Sequence, residues 1–259
     1  MKKIIFLGCF IFFITVTGLS QLYFRFGGGI GIGFPWHDPS FTNSTGQIWS
    51  GQTEPSNPDV TDVNSTLGTG VNANIALSWM INKYIGTEIA INEFYGASVY
   101  KKDFYTWGNG TSGYGWRSYE ETRWGMMLQF IPSVIITPGL NKVNPYARLG
   151  LIIGAIPKVY QKSLSYESVG YTYSTDNYYY GGISLGFASA AGADFRLTRI
   201  ITFFSEIDFN YARYSPKYGF YDDSNPNYPD VQVKTDLINS KVSFSNFQIN
   251  LGVKFFLGN

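Results

Sequence analysis

The feature that most constrains this chain is a two-residue alternation of apolar with small or polar side chains, recurring eight times. In residues 22–34 the even positions are Leu22, Phe24, Phe26, Gly28, Ile30, Ile32 and Phe34, whereas the odd ones are Tyr23, Arg25 and four glycines. Successive side chains of a strand point to opposite faces, so each such segment has one greasy face and one small or polar face. The same split returns in residues 71–79, 85–92, 123–130, 147–154, 182–197, 201–211 and 247–255. No apolar run reaches the length that a membrane-crossing helix requires.

The connections carry a second pattern. Long polar stretches near 35–69, 100–122, 157–181 and 212–241 alternate with tight turns near 81–84, 138–144 and 198–200. An even number of strands with short turns at one end and long loops at the other is the layout of a membrane barrel, and both termini then fall at the short-turn end. Two residues depart from the pattern. Pro132 lacks a ladder donor, which predicts a bulge or the end of regular pairing there. Glu93 sits on the greasy parity, about one bilayer crossing from the start of its strand, which places it above the hydrocarbon.

A water-soluble barrel would show the same alternation with its faces reversed, and here composition decides. Only 14% of residues are charged, against roughly 25% in an average soluble domain. The polar parity is mostly Gly, Ala, Ser and Asn, small enough for the tight interior of an eight-stranded barrel. Trp79, Tyr84 and Phe255 at one end, with Trp36, Trp124 and Tyr211 at the other, are placed as interfacial girdles. The greasy face, with Phe24, Ile75, Leu128, Leu185 and Ile249, is therefore expected to touch acyl chains. The predicted fold is all-β: an eight-stranded antiparallel up-and-down transmembrane β-barrel with long external loops and short periplasmic turns.

Lys2 and Lys3 precede an apolar run over residues 4–16, followed by the small residues Gly18 and Ser20. This is the layout of a secretory signal peptide, and it divides the chain into a signal segment 1–20 and one barrel domain 21–259. Its removal takes away two lysines and the sole cysteine, leaving 17 Lys+Arg against 18 Asp+Glu. No disulfide, thiol catalysis or Cys-ligated metal is then expected, and a net charge near zero argues against a nucleic-acid partner.

Signal segment, eight alternating strands, four long loops and the closing strand Phe247-Gln-Ile-Asn-Leu-Gly-Val-Lys-Phe-Phe256 together resemble the small outer-membrane β-barrel family that includes the OmpX and OmpA transmembrane domains. The resemblance covers the whole mature chain and lies in pattern. It implies residence in a bacterial outer membrane after export, contact with its lipid and lipopolysaccharide, and a monomeric state. It also implies insertion by the outer-membrane assembly machinery through the terminal strand. Three residues after the last aromatic, Leu257, Gly258 and Asn259, depart from the family's terminal signal.

The lumen parity brings together Arg25, Arg148, Arg196 and Lys254 with Glu88, Asp194, Glu206 and Asp208, nearly all near the short turns. Charges confined in a narrow interior are costly unless paired. A salt-bridge and hydrogen-bond network closing the lumen is expected; an ion or proton path is the alternative. In the loops, Tyr105, Trp107, Tyr114 and Trp116, and Tyr171, Tyr173, Tyr178 and Tyr179, lie among Gly, Ser and Asn. That composition suits adaptable protein-binding or glycan-stacking surfaces; equally, the aromatics extend the strands and anchor to headgroups. His37 beside Asp38 and Ser40 is the sole hint of a lipid-modifying hydrolase, and a solvated loop histidine explains it as well. Asp222-Asp223 and Asp59-x-x-Asp62-x-Asn64 lack the Gly and terminal Glu of a calcium loop. The expectation is a non-enzymatic barrel with no cofactor and no metal, whose loops bind a surface protein or glycan.

Overall fold

The structure, a computed structural model, describes residues 21–34, 37–48, 59–64, 66–109, 113–168, 172–223, 231–234 and 242–257. The signal segment expected over 1–20 lies outside them. In chain order the strands are β1 (Gln21–Gly33), β2 (His37–Ile48), β3 (Asp59–Asn64), β4 (Gly70–Met80), β5 (Ile85–Asn109), β6 (Gly113–Ile136), β7 (Val143–Glu167), β8 (Thr172–Tyr180), β9 (Ser184–Arg196), β10 (Ile201–Tyr214), β11 (Tyr218–Asp223), β12 (Val231–Lys234), β13 (Val242–Ser243) and β14 (Asn246–Phe256).

Eight of them close a ring. β1 pairs with β4, β4 with β5, β5 with β6, β6 with β7, β7 with β9, β9 with β10 and β10 with β14, and β14 returns to β1, every pair antiparallel. Closure leaves the ring no unpaired edge, the condition for strands to sit in hydrocarbon. Its outer surface is apolar: Phe24, Ile75, Leu185 and Ile249 are 37%, 44%, 66% and 54% exposed, and Leu128 is half-buried on the same face. An apolar band around the whole circumference is stable only against lipid. The fold is an eight-stranded antiparallel up-and-down transmembrane β-barrel.

The glycines of the polar parity have a packing reason. Gly27 pairs with Gly252, which pairs with Phe204 in the next strand. A Cβ on either glycine would come within 2.7 Å or less of the Phe204 ring. The ring lies against these bare backbones, and any larger residue would displace it.

The loops at 100–122 and 157–181 differ from expectation, since most of their residues prolong strands. β5, β6 and β7 run 25, 24 and 25 residues, more than twice the roughly 9–11 that one crossing needs. Above the ring they continue as an open sheet in the order β3-β2-β5-β6-β7-β8-β11-β12. The β2–β5 contact in it is parallel. Two bulges mark the departure. Between Gly96 and Val99 of β5 the register with β6 shifts by one. Between Met126 and Leu128 of β6 the register with β7 shifts likewise, and Ile156, opposite, has φ +50° just before Pro157. Bulges bend and twist a strand, and these fall where β4 begins opposite Gly96 and β9 begins opposite Gly154.

At Pro132 the expected interruption of regular pairing occurs in one ladder only, and no bulge forms at that residue. The proline pairs in register with Ile89 of β5, and the ladder toward β7 skips 131 and 132 and resumes at Ser133–Gly150 without a shift. The missing donor costs a local gap in one ladder, and the bulge forms instead at Ile156–Pro157.

Candidate functional site

The lumen is stratified. Nearest the short turns, Glu88 accepts from Arg25 Nη2 at 3.0 Å, Arg148 Nη1 at 2.9 Å and Ser78 Oγ at 2.7 Å. Glu206 accepts from Arg25 Nη1, from Arg148 Nη2 at 3.0 Å and from the Tyr146 hydroxyl at 2.8 Å. Arg148 also reaches Asp208 at 3.4 Å, and Asn250 donates to the other Asp208 oxygen. Lys254 pairs with Asp194 at 2.7 Å, its ammonium 4.0 Å from the Tyr146 ring centre. All seven charged groups come from ring strands whose small neighbours leave room for long side chains. Two guanidiniums shared between two carboxylates satisfy the fork geometry that buried ion pairs require.

Arg196 is the exception among the eight residues assigned to this network. It is exposed at the short-turn mouth and joins no ion pair among the described residues. As the last residue of β9 it has already left the sealed interior.

Above the charges lies a polar layer: Asn72 donates to Asn92 at 3.0 Å, and Asn92 to Gln129 at 2.7 Å. Above that comes an apolar plug in which Phe94, Met127, Ile152, Val159, Ala212 and Tyr214 point inward from the wall and meet Leu67 and Phe244. These two come from short segments folded into the mouth. Leu67 N–H donates to Ser243 O at 2.9 Å and Phe244 N–H to Ala212 O at 3.0 Å; the Phe244 ring lies edge-on to Phe94 at 6.4 Å. Sequence reasoning missed this plug, although Met127 and Ile152, large apolar residues on the small or polar parity, signalled it.

The candidate loop aromatics separate. Trp116 is exposed and stacks on Phe104 at 6.1 Å. Tyr178 closes a cross-strand row with Trp124, Tyr160 and Phe220, the Trp124 and Tyr160 planes 10° apart. Tyr179 faces the other way and packs against the plug, and Tyr105 is half-buried. Tyr171 lies outside the described residues, as do the side chains of Trp107, Tyr114, Tyr173, His37, Asp59, Asp62, Asn64, Asp222 and Asp223. The inner face of the sheet holds Lys101, Asp103, Glu121 and Arg123 in close ion pairs. Burial pushes the Tyr119 phenol up, keeping it a neutral donor to Ser163 Oγ at 2.9 Å. A second aromatic row, Phe34–Phe247–Phe209–Phe187–Tyr211, circles the opposite wall at the same end.

The geometry defines a lipid-facing barrel with a doubly filled interior. No family model matches the sequence, and no curated protein matches it. Among solved structures the chain is similar to a major outer membrane protein from Thermus thermophilus, with 10% identity over 92% of this chain and 99% of that one and a TM-score of 0.46. It is also similar to Ail, the attachment invasion locus protein of Yersinia pestis, alone (10% identity, 91% and 97% coverage, TM-score 0.26) and in complex with the heparin analogue sucrose octasulfate (9%, 91% and 97%, TM-score 0.27).

Proposed function

We propose that this chain is a non-enzymatic integral protein of a bacterial outer membrane, with a sealed lumen and an external sheet that binds a surface protein or glycan. The observation that carries the reading is the prolongation of β5, β6 and β7 beyond the ring into a sheet with exposed stacked aromatics, over a lumen filled by ions and by an apolar plug. A filled lumen opposes a channel, and surface presentation accounts for strands far longer than lipid demands. The short turns face the periplasm, the aromatic rows contact lipopolysaccharide headgroups, and β14 addresses the assembly machinery. The chain acts as a monomer, cleaved after export, without cofactor or metal.

The test is a pair of internal deletions, 101–121 and 161–179, which shorten the sheet and leave the ring. The deleted protein is expected to reach the outer membrane and keep a heat-dependent gel shift, while its binding to host-protein and glycan arrays disappears. Retained binding refutes the role of the sheet. Planar-bilayer recordings are expected to show no unitary conductance, and His37→Ala is expected to leave lipid A unchanged.

A further inference from the structure

A half-open cavity of about 510 Å³ lies in the short-turn mouth, beneath the ion layer. Its wall is aromatic and apolar, with Tyr23, Tyr146, Phe256 and Met80, and its cations Lys83, Lys142, Arg196 and Lys254 stand against the single acid Asp194. That acid is already taken by Lys254. The volume falls within the range of small-molecule sites.

Register makes the charge arrangement specific. Arg196 pairs with Thr202 and Thr202 with Lys254, and Arg196 N–H donates to the Lys142 carbonyl at 3.1 Å, one step beyond the Val143–Phe195 pair. Lys142, Arg196, Thr202 and Lys254 therefore form one cross-strand row, all four lining the cavity. Like charges directly opposite across strands are destabilising, and Lys142 and Arg196 are such a pair. Between Arg196 and Lys254 sits Thr202, 3% exposed, whose hydroxyl has no hydrogen-bond partner among the described residues. A buried hydroxyl without a partner keeps its desolvation cost uncompensated. One ligand relieves both costs: an anionic group that neutralises Lys142 and Arg196 and accepts from Thr202.

We propose that this cavity is a binding site for a small organic carboxylate with an apolar or aromatic body, its carboxylate on the Lys142–Arg196–Thr202 row and its body against Tyr23, Met80 and Phe256. The site is independent of the external sheet, so it stands or falls separately from the surface-binding role.

Methionine methyl groups supply the readout. Met80 lines the cavity, Met126 lies on the outward parity and Met127 is in the plug. In barrels with ¹³C-methyl methionine in zwitterionic nanodiscs, 4-hydroxyphenylacetate is expected to shift Met80 saturably while Met126 and Met127 stay fixed. The uncharged 4-hydroxyphenylacetamide and the variant Arg196→Glu are each expected to weaken the response about tenfold or more, the usual worth of a charge-assisted contact. Unmoved Met126 and Met127 peaks in the variant show that the barrel is intact. The proposal is overturned by an unmoved Met80 up to about 10 mM probe, well above a weak millimolar Kd. It is equally overturned if the amide and the acid act alike, or if Arg196→Glu responds as the parent does.

Discussion

The two ends of the lumen solve one problem with opposite chemistry. Near the short turns the interior is filled by Arg25, Arg148, Glu88 and Glu206, which are worth keeping only as a complete set. Near the sheet it is filled by Phe94, Met127, Ile152 and Phe244, each of which contributes its own contacts. The difference teaches that an apolar seal fails gradually, whereas an ionic seal fails by stranding charge.

Glu206 is the sharpest place to break that contrast, because both guanidiniums and the Tyr146 hydroxyl converge on it. Glu206→Ala is expected to cost about 3–5 kcal/mol, the usual penalty for removing one partner of a buried ion pair. Urea unfolding in lipid vesicles measures it. An effect below about 1 kcal/mol, the worth of an exposed pair, would show that the ion layer is solvated.

Met127→Ala tests the other seal and ranks second, at about 2–3 kcal/mol, for lost burial plus a cavity that a closed wall cannot fill by collapsing. If the seals are independent, the double variant loses the sum to within about 0.5 kcal/mol. A larger departure would mean that the polar layer of Asn72, Asn92 and Gln129 couples them.

Gly252→Val probes the row joining wall to filling. Its Cβ would meet the Phe26 backbone carbonyl first and the Phe204 ring second, so the loss is expected to be at least the roughly 1–3 kcal/mol of core overpacking. Pairing it with Phe204→Ala is expected to restore part of the loss, which thermal gel-shift midpoints would register.

How much of this was legible follows the same physics. The eight ring segments were readable because lipid on one side and a narrow lumen on the other force a period-two contrast, as in Ile30 and Ile32 against Gly29 and Gly31. The upper parts of β5, β6 and β7 were not, because both faces leave hydrocarbon and Lys102, Glu120 and Lys162 become as acceptable outward as Tyr100 or Phe104. Parity groups Arg25, Glu88, Arg148, Glu206, Asp208, Asp194 and Lys254 on one face, and the ion pairs of the lumen join these seven. Parity alone carries no depth and so grouped Arg196 with these seven, although its place two residues before the 198–200 turn marks it as a rim residue. Nor could parity find Leu67 and Phe244, whose place depends on backbone that folds inward between strands.

The smallest effect is expected in the sheet, and it completes the comparison. Arg117 pairs with Glu167 at 2.6 Å, but the Arg117 side chain is 46% exposed. The pair has the geometry of the lumen bridges without their burial. Water solvates either partner when the other is removed, so no charge is stranded. Arg117→Ala is therefore expected to cost about 0.2–1 kcal/mol, and to lose even that in 1 M salt, where the screening length falls to about 3 Å. Glu206→Ala should keep its penalty in the same salt, because its partners lie beyond the reach of mobile ions. Equal salt sensitivity of the two variants would erase the distinction between a sealed lumen and an open sheet.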